Sequence, residues 1–292
     1  MKIKIPATSA NLGPGFDCLG LSLNLFNEVQ IQKTKISSIS IKGEGENTLF
    51  LKKNNPFVQI FKQVYKKLSG EEESFSFKFN NHIPFSRGLG SSSAVIVGAV
   101  AAAFYYAQKG EDRQGILNES LLYEKHPDNI APATLGGFVC SLVHKQEVIS
   151  IKKDIDDEIK ALVLIPNQAI STKKSRSTLR KSVNLKDCVF NLSHSSLLTA
   201  CFLQKRYDLL KIASLDALHQ RQRMKNLPEL FKVQKLALEN GALMSVLSGS
   251  GSSFLSIAFK DDIEALSLKM KAKFTQFEVK ILEFDNKGFI FC

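Results

Sequence analysis

Hydrophobic positions at the start of the chain recur every second residue. Ile3 and Ile5 alternate with Lys2 and Lys4 and predict a strand over Lys2–Pro6. Asn24–Gln32 alternates in the same way, and Ile39 and Ile41 mark a third strand before Gly43 and Gly45 interrupt it. The period then becomes helical: Phe57, Ile60, Phe61, Val64, Tyr65 and Leu68 form one apolar face across Asn55–Leu68. Phe75, Phe77 and Phe79 return to alternation and lead into Pro84. Ala94–Ala107 is apolar all round. It falls short of the ~20 residues of a membrane span, so it predicts a buried helix.

Beyond it, Arg113–Leu122 predicts a helix and Tyr123–Asn129 a polar turn, with strands at Val139–Val143 and Gln146–Ile151. The acidic run Asp154–Glu158 is the candidate domain boundary, giving domains over 1–158 and 159–292. Ala161–Pro166 predicts a fully buried strand. Helices are expected over Leu192–Gln204, Asp208–Ala213, Asp216–Arg223 and Leu230–Glu239. A strand at Phe254–Phe259, a helix at Ile263–Lys273 and a closing strand at Val279–Phe284 complete an α+β chain of two domains.

Composition narrows the class. A hydrophobic fraction of 44% with 23% charged residues is that of a globular protein, and no segment suggests a membrane partner. Met1–Pro6 lacks the apolar core of a secretion signal. The five cysteines are odd in number and unpaired in spacing, which predicts reduced thiols and a cytoplasmic location. The net charge of +11 suits an anionic small substrate. The lysines are spread along the chain and no nucleic-acid motif is present, so no nucleic-acid partner is expected.

Three polar, glycine-containing stretches carry the candidate chemistry. Pro84, Phe85, Ser86, Arg87, Gly88, Leu89, Gly90, Ser91, Ser92, Ser93 and Ala94 run from a small loop into the buried helix. Glycines there allow close approach of a ligand, and free N–H groups at a helix start suit phosphate. The plainer reading is a helix start capped by its own serines. A branched side chain at Gly90 is expected to fill the phosphate space without disturbing the fold. The second stretch, Ala7–Gly20, holds Asn11 and Asp17 and reads as a tight loop. The third gathers Glu124, His126, Asp128 and Asn129 beside two prolines, a density of acid, base and amide groups that points to a site.

Taken together with Leu247–Gly251, the loops Pro6–Asp17 and Pro84–Ala94 resemble, in order, the three motifs of the GHMP small-molecule kinases. Ser9–Asn11, Gly15–Asp17, His126–Asn129 followed by Ala131–Pro132, Ser171–Arg176 and His219–Arg223 resemble the branch that phosphorylates L-homoserine. Ser252 stands where that family usually has proline, and Arg221–Gln222 where Pro-Tyr is common. The resemblance implies an amino-terminal domain with a left-handed β-α-β crossover, a ferredoxin-like carboxyl-terminal domain, a site between them, and a homodimer. It implies ATP as co-substrate on Pro84–Ala94, and Mg²⁺ on Ser92 and Glu124, with Glu119 as a second candidate carboxylate. It gives Asn11, Asn129 and Thr172 the alignment of hydroxyl and γ-phosphate, and puts Asp128 at the position of a proposed base. Asp17, His126, Asn129, Arg176 and Arg223 become the contacts to the amino acid.

Overall fold

The computed structural model describes all residues, Met1–Cys292. Its first half contains β1 (Lys2–Ala10), β2 (Leu19–Lys33), β3 (Ser38–Gly43), α1 (Leu49–Lys53), α2 (Pro56–Ser69), β4 (Phe75–Asn81), α3 (Ser91–Tyr106), α4 (Arg113–Leu121), α5 (Pro127–Leu135), β5 (Phe138–His144) and β6 (Glu147–Lys153). The second half contains β7 (Ile159–Pro166), α6 (Thr172–Ser177), α7 (Leu185–Gln204), α8 (Leu210–Ala213), α9 (Gln220–Met224), α10 (Glu229–Glu239), β8 (Met244–Leu247), β9 (Phe254–Phe259), α11 (Ile263–Lys273), β10 (Phe277–Leu282) and β11 (Ile290–Phe291).

Two sheets organise these elements. The larger runs β11-β1-β2-β4-β3, with β5 and β6 branching from β2. β3 and β4 are parallel, so the segment carrying α1 and α2 crosses over between them. The smaller sheet runs β10-β7-β9-β8, and every pair in it is antiparallel. Counted from β7, that is order 4-1-3-2 with helices after the first and third strands, the ferredoxin-like arrangement expected from the motifs.

α3 lies at the centre of the first half. Its alanines, Val97 and Val100 are buried against β1, α2, α4 and α5. A Cβ on Gly98 would come within 2.7 Å of Ile5 and 3.0 Å of Phe57, so glycine lets the helix press onto sheet and neighbour at once. α2 begins at an Asn55 cap, which accepts from the Phe57 and Val58 amides with Pro56 at the first helical position.

Several boundaries differ from the expected ones. β1 continues four residues past Pro6, through a register shift at Pro6/Ala7, and pairs Ala7–Ala10 with Leu23–Gly20. Thr8 and Ser9 are fully buried there because the start of α3 crosses them closely, with the Thr8 amide bonded to the Leu89 carbonyl. The tight loop is therefore only Asn11–Cys18. Residues read as a polar turn, Asp128 and Asn129, occupy the first turn of α5. Pro127 starts that helix where a missing N–H costs nothing, and Pro132 inside it forgoes one bond. α7 begins at an Asn184 cap, seven residues before the predicted start. β11 was not predicted at all.

The stretch from Phe284 returns to the first sheet. Asp285 accepts from Ser22 Oγ at 3.0 Å and the Gly288 amide at 2.8 Å, and β11 pairs with β1. Arg113 fastens this return. Its guanidinium donates to the carbonyls of Thr134, Lys287 and Phe289 and lies 4.7 Å above the Phe289 ring. Arg113→Ala is expected to lower stability by about 1–3 kcal/mol, read as a reduced urea midpoint. An unchanged midpoint would show that the latch contributes nothing.

Candidate active site

One cavity between the sheets gathers nearly every residue picked out from sequence. Asn11, Asp17, Pro84, Ser86–Ser93, Glu124, His126, Asp128, Asn129, Thr172, Arg176 and Arg223 line it, together with Gly249 and Ser250. Phe85 and Ala94 do not. They face a second, mainly apolar cavity with Ile41, Leu51, Phe57 and Phe79, joined to the first along Ser86, Ser91 and Ser92. Glu119 lines neither cavity; it pairs with Lys67 at 2.6 Å on α4.

At one end stands the start of α3. Gly90 takes a left-handed conformation, φ 67°, and no side chain caps the helix, so the serines leave the first-turn amides free. The capped-helix reading is thereby excluded. The expected tolerance of Gly90 is overturned too: a Cβ there would sit 1.9 Å from Thr8 Oγ1, inside the protein and not in the phosphate space. Arg87 contributes backbone only. Its guanidinium is taken up by the carbonyls of Phe85, Pro166 and Asn167 and braces the loop against the end of β7.

The loop after β8 closes the cavity from the second half. Its carbonyl at Gly249 accepts from Asn11 Nδ2 and from Arg223 Nη1, both at 3.0 Å. Asn11 Oδ1 accepts the Asp17 amide at 3.0 Å, so both ends of this side chain are engaged in holding loops. Thr172 lies 3.3 Å from Ser250 Oγ, and Ser175 donates to the Ser250 carbonyl. Asn129 Oδ1 accepts from Thr8 Oγ1 at 2.7 Å.

The other end is charged. Asp17 meets Arg176 in a two-pronged pair at 2.6 and 3.1 Å, and His126 Nδ1 lies 3.3 Å away. Arg176 and Arg223 both approach the Phe16 ring, at 5.4 and 5.2 Å from its centre. Arg223 is 3% exposed and its Nε has no partner. Burial, reinforced by Arg176, pushes its pKa down to about 10. Asp128 is 5% exposed. Burial first, then the charges of Asp17 and Glu124, push its carboxyl up to about 7. No cluster of three or more His, Cys, Asp or Glu side chains forms a metal-ligating group.

Thr8, Phe16, Ser248, Gly249 and His219 lie inside the motifs that carry the resemblance, but sequence patterns assigned none of them a role of its own. Only the four-residue spacing of His219 and Arg223 could have signalled that the imidazole stands behind the guanidinium.

Residues 55–137 match the family model described as GHMP kinases N terminal domain, and residues 198–276 that described as GHMP kinases C terminal. A homoserine kinase of Campylobacter jejuni subsp. doylei is 65% identical over 292 residues, the whole of both chains. The chain belongs to the homoserine kinases of the GHMP family. A family member from Campylobacter lari is 61% identical, again over both full lengths. The crystal structure of homoserine kinase from Cytophaga hutchinsonii aligns with a TM-score of 0.88 at 25% identity, over 99% of this chain and 96% of that one. A mevalonate kinase structure, at 14% identity and a TM-score of 0.72, shares the fold.

The Asp128 shift gives a stability prediction. A carboxyl whose folded-state pKa is raised favours the folded state at low pH and loses that contribution as pH rises through about 7. Asp128→Asn, which cannot ionise, should therefore gain melting temperature relative to the parent between pH 4.5 and pH 8. A difference that does not vary with pH would contradict the buried, raised carboxyl.

Proposed function

We propose that the cavity transfers the γ-phosphoryl group of ATP to the side-chain hydroxyl of L-homoserine, giving O-phospho-L-homoserine and ADP, a step toward threonine. The carrying observation is the pairing of opposite ends in one cavity. Uncapped amides of α3 stand at one end, and Asp17, Arg176 and Arg223 at the other.

ATP lays its phosphates on Gly88–Ser93, where backbone amides and the helix dipole favour anions. The apolar neighbour cavity receives the base, so Phe85 and Ala94 serve the nucleotide from that side. Ser92 and Glu124 offer hard oxygen donors beside the phosphates, a set that suits Mg²⁺, which takes few protein ligands. Such an ion would neutralise charge on the phosphates.

Asp17 and Arg176 hold each other where a zwitterion would lie. Binding exchanges that pair: the substrate ammonium takes Asp17, and its carboxylate takes Arg176 and the free Nε of Arg223. His126 completes the ammonium end. Asn129, fixed by Thr8, and Thr172 align the hydroxyl with the phosphorus; Asn11 ties the loop bearing Asp17 to the loop after β8. The hydroxyl oxygen forms a bond to the γ-phosphorus as the bond to the bridging oxygen of ADP breaks. Asp128, ionised above about pH 7, accepts the hydroxyl proton.

On this reading the amino-terminal nucleotide domain ends near residue 158. The enzyme works in the cytoplasm as a homodimer; Leu185, Val189 and Leu192 lie exposed along one flank of α7 and suit a second copy. Sedimentation of a monomer at micromolar concentration would refute the dimer, and fractionation outside the cytoplasm the location. No helix is long and apolar enough to cross a membrane.

ADP release across amino and hydroxy acids tests the activity, with L-homoserine expected to give the highest kcat/KM. A higher value for a substrate without an ammonium group would refute the assignment. Arg176→Ala should reduce homoserine kcat/KM roughly ten- to a hundredfold, the loss of one charge-assisted contact, with the KM for ATP nearly unchanged. Intact homoserine kinetics would remove Arg176 from the clamp.

A further inference from the structure

The two halves of the amino-acid end are joined by a side chain that the mechanism above does not use. His219 is 2% exposed. Its Nδ1 lies 3.2 Å from Arg223 Nη1, and its Nε2 lies 2.8 Å from the Gly13 carbonyl oxygen. A guanidinium can only donate, so Nδ1 accepts. The proton of a neutral ring then sits on Nε2, where it meets the Gly13 carbonyl. One neutral tautomer satisfies both contacts. An imidazolium would turn an N–H toward Arg223 and add a second buried positive charge.

Gly13 belongs to the Asn11–Cys18 loop, which carries Phe16 and Asp17. Asn191 grips the same loop, donating from Nδ2 to the Pro14 carbonyl at 3.0 Å and accepting the Ala217 amide at 2.8 Å. Asp216 in turn accepts the amides of Leu218, His219 and Gln220. The imidazole is thus fixed from behind, with the Phe16 ring 5.1 Å from its own. The charged groups around it are Arg223, Asp216, whose Oδ1 is 4.0 Å from Nε2, and Asp17 at longer range. Burial dominates among these influences and lowers its pKa.

We propose that His219 is a positioning residue. As a neutral imidazole it sets the orientation of Arg223 and its spacing from the Asp17 loop, so that the clamp fits a carboxylate and an ammonium borne on the same carbon. The proposal rests on the amino-acid reading of this cavity. Homoserine turnover by the parent enzyme tests that reading by itself, and its absence would overturn both.

With turnover established, His219→Ala and His219→Gln are compared by steady-state kinetics, varying each substrate in turn from pH 5 to 8. His219→Ala should raise the homoserine KM roughly tenfold, the loss of one oriented bond to a charged group. The KM for ATP and kcat should stay within about threefold. The glutamine variant, whose amide accepts at one end and donates at the other, should recover most of the loss. The parent homoserine KM should rise on the acid side, below the ordinary imidazole value of about 6.5, as His219 takes a proton; His219→Gln should lack that limb. An unchanged homoserine KM in a folded His219→Ala, or equal rises for both substrates, overturns the proposal. If the alanine variant does not fold, the glutamine variant decides: an acid limb identical to the parent's overturns it.

Discussion

Everything in this molecule that concerns ligands depends on a backbone approach with no room for a side chain. The loop before α3 and the loop after β8 come from different sheets. A Cβ on Gly88 would lie 2.2 Å from the Ser248 carbonyl oxygen. That contact lets Ser248 Oγ reach the Gly88 carbonyl, the Gly249 amide reach Ala10, and the Ser253 amide reach Arg87. Each bond satisfies a group that the fold would otherwise leave buried and unpaired. Were the loops one methyl group further apart, the Gly249 carbonyl could not hold Asn11 and Arg223 together. The phosphate end and the amino-acid end would then belong to two separate surfaces.

Within the space so formed, the protein assembles more charge than a buried site tolerates freely. It meets the cost differently at each group. Asp17 and Arg176 neutralise each other by geometry. Arg223 is partly offset by carbonyl and imidazole acceptors and by an aromatic face, and it loses some of its basicity. Asp128 has no cation at contact distance and binds its proton more tightly instead. A carboxyl near the middle of the neutral range is therefore a product of where α5 begins. It requires no dedicated partner.

Much of this was legible beforehand. The alternating isoleucines of β1, the phenylalanines of β4 and the apolar face of α2 announce themselves because each buries one side. The loop before α3 was legible only beside its companions, since a glycine and serine stretch alone also fits a capped helix start. The extension of β1 through Ala7–Ala10 was not, since both of its faces are covered and small residues carry no period. α5 hid behind two prolines, Pro127 at the first helical position, where a missing N–H costs nothing, and Pro132, which forgoes one bond. At the site, Asp17, Arg176 and Arg223 could be named from motifs. The pairing of Asp17 with Arg176, and the approach of both guanidiniums to the Phe16 ring, depend on contacts across more than a hundred residues that no local pattern encodes.

The pairing of β11 with β1 bears on how the chain comes to be folded. Ile3 and Lys4 wait for Phe291 and Ile290, partners nearly the whole sequence away. While a ribosome makes the intervening residues, β1 has only β2 beside it and presents an open edge to whatever else is nascent nearby. Lys2 and Lys4 stand on that strand, each paired to Glu28 of the neighbour. Charge spaced along an unfinished edge discourages foreign strands from adding to it. The finished protein closes that edge with its own backbone, through the pairing of β11 with β1.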